Sequence, residues 1–103
     1  MLKNLIGALT CALLISPTPA AEALKVGFVY VSPIGQAGWT YQHDQARLAM
    51  SRTLGAKVQT RYVEAVPEGA DAERVMRAMA ADGTQLIFAT SFGYLEPALR
   101  VAG

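Results

Sequence analysis

Hydrophobic positions along the chain switch between two periods. The run LKVGFVYV, residues 24–31, is almost continuously apolar, rich in β-branched and aromatic residues, and stops at Ser32-Pro33. Such a run predicts a strand covered on both faces, as in a parallel sheet. From Trp39 to Leu54 the spacing turns helical, with Ala46, Ala49, Met50 and Thr53 on one face, and Gly55 stands where helices commonly end. KVQTRYVEAV, residues 57–66, alternates Val58, Thr60, Tyr62 and Glu64 against Gln59, Arg61, Val63 and Ala65, which predicts a second strand nearer an edge. After the turn PEG, Asp71 is placed to cap a helix. Its apolar residues Ala72, Val75, Met76, Met79 and Ala80 follow i, i+3, i+4, i+7, i+8, the clearest periodicity in the chain. Gly83 ends that helix, QLIFAT (residues 85–90) reads as a third strand, and SFGYLEPALRVA turns into a third helix. Pro97 fits only in a first turn, so this helix should begin near Leu95 or Glu96.

The order β-α-β-α-β-α with short connections predicts an α/β fold, a partial doubly wound parallel sheet. Ligands in such sheets bind beyond the carboxyl ends of the strands. Two loops are expected there, 32–38 after the first strand and 91–94 after the third.

The first 23 residues do not join this pattern. Lys3 precedes an apolar run from Leu5 to Ile15, followed by a proline-punctuated stretch closing on Ala21-Glu22-Ala23. That is the layout of a cleaved secretory signal, and the run is too short to span a bilayer. The expected division is therefore a signal peptide over residues 1–23 and one small domain over 24–103. Cys11 lies mid-run behind Thr10, a poor context for lipid attachment, and reads as a small hydrophobe of the signal. Cleavage leaves no cysteine, so neither disulfides nor thiolate metal sites support the mature fold. The formal net charge of +1 and scattered Arg and Lys argue against nucleic acid as partner.

The stretch SPIGQAGWTYQHDQAR, residues 32–47, concentrates the unusual residues. Its Gly35-x-x-Gly38 turn lacks the spacing of a dinucleotide site and the ending of a P-loop. Trp39, the single tryptophan, is either core or a flat face for stacking a ring at the ligand edge. His43 shares its face one turn later. With no second His and no remaining Cys, a metal site is not expected. A triad of His43, Asp44 and Ser91 fails on two counts: TSFGY is not G-x-S-x-G, and adjacent His43 and Asp44 diverge on a helix. In TSFGYLEP, Phe92 either plugs the end of the sheet or offers a second aromatic surface, with Ser91 and the Gly93 amide as donors.

The segments KVGFVYVSPIGQAGWTYQHDQAR, YVEAVPEGADAERVMRAMAADG and LIFATSFGYLEPALRVA together resemble the start of the BMP (basic membrane protein) family of ABC-transporter substrate-binding proteins. The resemblance runs from Leu24 to Ala102. It implies a type 1 periplasmic-binding fold of two α/β lobes, of which this chain supplies an incomplete N-terminal lobe, as a fragment would. It further implies a periplasmic, non-enzymatic protein without cofactor that captures purine nucleosides or bases and delivers them to an inner-membrane permease. By this resemblance Trp39 stacks on the base and Thr40 hydrogen-bonds to it, while Ser91, Phe92, Gly93 and Tyr94 line the same pocket. Gln36 stands where family members commonly carry an acidic residue, which alters any contact made there. Two alternatives stay open. A flavodoxin-like enzyme or signalling domain wants carboxylates at the strand ends, and neither loop above carries one. A sugar receptor of the same fold also uses aromatic stacking, with more carboxylates and Arg around its ligand.

Overall fold

The structure, a computed structural model, describes residues 7, 10–15 and 21–103; the expected signal segment lies largely outside the described residues. Three strands form one parallel sheet in the order β2-β1-β3: β1 (Leu24–Val29), β2 (Val58–Val63) and β3 (Leu86–Ala89). β1 pairs with β2 from Leu24↔Val58 to Val29↔Val63, and with β3 from Val26↔Leu86 to Val29↔Ala89. The central position explains its unbroken apolar run, since Val26, Phe28 and Tyr30 face one layer and Val29 the other, all buried. The ladder ends two residues before the expected Val31. Tyr30 nonetheless stays bonded, donating its N–H to the Val63 carbonyl and accepting from the Val66 N–H.

Helices α1 (Trp39–Leu54), α2 (Ala70–Ala81) and α3 (Leu95–Ala102) connect and follow the strands. On one face of the sheet α2 and α3 close over Val29, Val66, Ala72, Met76, Met79 and Tyr94. Gly27 belongs to this face, because a Cβ there would press on the Met79 sulfur at 2.7 Å. On the other face Val26, Phe28 and Tyr30 pack with Ile34, Met50 and Val58. The α2 periodicity holds through Ala72, Met76 and Met79, whereas Ala80 is exposed. Asp71 does not cap α2. Gly69 occupies the cap position, and Asp71 sits in the first turn, where a carboxylate complements the helix dipole and pairs with Arg74 at 3.1 Å. α3 begins at Leu95 with Pro97 in its first turn, as expected.

α1 departs from its expected face. Of the expected face only Met50 packs on the sheet; Ala46, Ala49 and Thr53 point to solvent, and the rest of the side against the sheet is polar: Thr40, Asp44, Arg47 and Ser51. Asp44 accepts from the Tyr30 hydroxyl at 3.1 Å and from Arg47 Nε at 2.7 Å. Arg47 also donates to Thr60 Oγ1 at 3.1 Å, and its guanidinium lies 4.6 Å over the Tyr62 ring. A search for apolar spacing passes over such a seam, because beside Met50 its helix buries mainly hydrogen-bonded groups. Burial, reinforced by Asp44, raises the Tyr30 phenol well above its usual pKa.

Candidate functional site

The order β2-β1-β3 places the point where the chain reverses direction across the sheet between the carboxyl ends of β1 and β3, where ligand sites of doubly wound sheets form. Thr90 joins the two ends, its N–H and its Oγ1 both donating to the Val29 carbonyl at 3.2 and 2.7 Å. Gly38, at φ 95°, turns the first loop sharply into α1. That turn sets Trp39 at the rim, where its indole N–H donates to the Thr90 carbonyl. The two loops are thus tied through the tryptophan. Trp39 is nonetheless 64% exposed, so it is not a core residue. Its ring meets the His43 imidazole edge-on, with centroids 4.8 Å apart at 62°. An indole held at its edge and open on its surface has little conformational freedom left to lose on stacking a planar ligand.

Phe92 is 94% exposed and plugs nothing; it stands on the 3₁₀ turn Phe92–Tyr94, in the loop after β3. Ser91 is half-buried and Gly93 lies beside it. Gln36 is exposed in the first loop.

Two expected ligand contacts are corrected. Tyr94 is fully buried in the α2/α3 layer, and its hydroxyl donates to the Val66 carbonyl at 2.6 Å. Burial, then the nearby Glu68 carboxylate, pushes its phenol up to about 12. The alternation of a 3₁₀ turn sends Phe92 outward and Tyr94 inward, so one motif serves both surface and core. Thr40 is also buried, with its Oγ1 accepting from Ser32 Oγ at 2.8 Å, and it fastens the first loop to α1.

The sequence reading overlooked a third loop. In a β-α-β-α-β chain every strand-to-helix loop reaches the same edge, so residues 64–69 belong there by topology alone. Two carboxylates arrive with them. Glu64 Oε2 accepts the Ile34 N–H at 2.8 Å and holds the first loop, while Glu68 Oε1 accepts from Ser91 Oγ at 2.8 Å. The first and third loops carry no carboxylate, as read from the sequence; both carboxylates at this edge come from the loop that reading left out. No group of three or more His, Cys, Asp or Glu residues able to hold a metal is found among the described residues.

A family model described as "ABC transporter substrate-binding protein PnrA-like" matches residues 23–102. The chain belongs to the Bmp family. Within it, the chain is 57% identical over 83 residues to a purine-binding protein of Brucella abortus, covering 81% of this chain and 24% of that protein. It is 41% identical over 81 residues to a Haloferax volcanii protein, TsgA13, provisionally named an ABC transporter glucose-binding protein, covering 79% of this chain and 20% of the relative. Among solved structures, an ABC transporter solute-binding protein from Conexibacter woesei superposes with a TM-score of 0.70 at 22% identity, over 78% of this chain and 26% of that one. That superposition bears out the α/β periplasmic-binding fold. This Bmp chain spans about a quarter of the length of the relatives it matches.

Proposed function

We propose that this Bmp-family chain forms one wall of a purine site in the substrate-binding component of an ABC importer, and that it catalyses no reaction. The observation that carries the reading is Trp39: an indole pinned to Thr90 at the sheet's carboxyl edge with most of its surface free. Phe92 supplies a second exposed ring in the loop after β3, two residues from Thr90, and the purine-binding name of the 57% identical relative points the same way. In the whole importer the ligand passes from this wall to a membrane permease.

Glucose is the competing ligand. The name of the second relative suggests it, and the exposed Glu68 is the kind of acceptor that sugar hydroxyls use. Titration of the chain with adenine, adenosine and glucose separates the two. A single wall leaves much of a purine in water, so the expected affinity is weaker than about millimolar, near 4 kcal/mol. Trp39→Ala should remove about 1–3 kcal/mol of that. Saturable binding of glucose with no response to either purine would overturn the assignment.

The same reading places the protein outside the inner membrane, after removal of residues 1–23. The family match begins at Ala23, at the expected cleavage point, which supports this boundary. Intact-mass measurement of the exported chain should show Leu24 as the first residue and no lipid. A retained N-terminus, or a diacylglycerol on Cys11, would contradict it.

A further inference from the structure

We propose that Glu68 is a specificity-determining residue of this site: its carboxylate receives a hydrogen-bond donor from an uncharged ligand and turns phosphorylated ligands away. The inference rests on the ligand wall described above and names the polar half of its recognition.

Glu68 is exposed but not loose. The loop that carries it is anchored at Val66, whose N–H donates to the Tyr30 carbonyl and whose carbonyl accepts the Tyr94 hydroxyl. The side chain then reaches across to the loop after β3, where Ser91 Oγ donates to Oε1 at 2.8 Å. Its carboxylate lies against Gly93, and a Cβ at that position would run into it. A carboxylate only accepts, with about four lone-pair sites on two oxygens, and Ser91 uses one of them. Among the described residues no Lys or Arg pairs with Glu68. The remaining acceptor capacity is therefore open at the rim.

Its position matters as much as its chemistry. Trp39 is fastened to Thr90 and Glu68 to Ser91, consecutive residues whose Cα atoms are about 3.8 Å apart. The stacking surface and the acceptor thus share one short piece of backbone. A planar ligand lying on the indole and carrying an N–H or O–H at its edge would satisfy both. The donor is either an exocyclic amine of the base or a hydroxyl of an attached sugar. A phosphate brought to the same place would meet an unpaired carboxylate, with no cation in the loop 30–38 or the loop 90–94 to offset it.

The test uses the full chain labelled with ¹⁵N, with adenine, adenosine, adenosine monophosphate and glucose as probes. Binding is read from the indole N–H of Trp39 and the amides of Ser91 and Gly93. Two variants perturb the acceptor independently: Glu68→Gln removes its charge and turns one acceptor oxygen into a donor, and Gly93→Ala displaces it without altering it. Unliganded spectra matching the parent away from the site confirm that each variant folds. Both should weaken adenosine by about tenfold, and Glu68→Gln should narrow the gap between adenosine and its monophosphate. Adenine responding as adenosine does identifies the base as the donor; a response confined to adenosine identifies the sugar. If both variants bind adenosine within twofold of the parent while Trp39→Ala loses it, the role of Glu68 is overturned and the purine wall stands. If glucose binds in a Glu68-dependent way and no purine binds, the acceptor role stands and the purine assignment falls. Spectra unmoved by every probe would overturn both.

Discussion

Tyr94 shows how much a single residue's surroundings decide. Its position in a loop beside Phe92 suggested a ligand contact, and its bond to the Val66 carbonyl makes it a structural pin instead. The consequence is measurable in alkali. The folded chain holds the phenolic proton up to about 12, whereas an unfolded tyrosine releases it near 10. Stability from this group is therefore complete below about pH 10 and is lost as the pH rises toward about 12. Tyr30, shifted in the same direction by its own burial, adds to the fall. Tyr94→Phe should cost about 1 kcal/mol near neutrality by removing one buried hydrogen bond. Its unfolding free energy should then decline less steeply than the parent's above pH 10. Parallel declines for the two proteins would show that Tyr94 is not linked to folding in this way. Nothing in the spelling of SFGYLEP separates the outward Phe92 from the inward Tyr94, because both are aromatic and only the course of the 3₁₀ turn divides them. Trp39 was equally undecided from sequence, and its exposure removes the core reading.

At the scale of elements, strands and α2 were legible because their burial is apolar and periodic. α1 was legible in its bounds, set by the residues around Gly38 and Gly55, but not in its orientation. Its seam with the sheet is the hydrogen-bonded chain Tyr30–Asp44–Arg47–Thr60. Asp44 and Arg47 keep only 8% and 13% of their side-chain surface exposed, so each depends on the other for compensation. Asp44→Ala would strand the Arg47 guanidinium and the Tyr30 hydroxyl together. We expect a loss of about 3 kcal/mol in chemical denaturation. A loss below about 0.5 kcal/mol, the range of an ordinary surface change, would mean that α1 is held by other contacts. Because α1 starts at Trp39, a loosened seam should also weaken ligand binding without touching the rim.

The molecule as described is a sheet covered unevenly. α2 and α3 close one face, while on the other Leu86 and Phe88 of β3 remain 42% and 41% exposed, with Phe88 stacked on Phe28 at 4.8 Å. The alternation of β3 and its place beside β1 follow from the parallel order, which the chain spells out through its strand and helix lengths. The place of the first and third loops at the carboxyl edge, where the candidate site lies, was legible for the same reason. The second loop was passed over because its residues, Glu64 and Glu68, lie beyond a strand that reads as an edge and carry no aromatic signal. The central claim is that a purine stacks on the exposed indole of Trp39. Saturation transfer from the Trp39 indole protons to the H2 and H8 protons of bound adenosine measures this contact directly. The account predicts strong transfer to both base protons, lost in Trp39→Ala. Transfer that reaches the base from other side chains but not from the indole would contradict it.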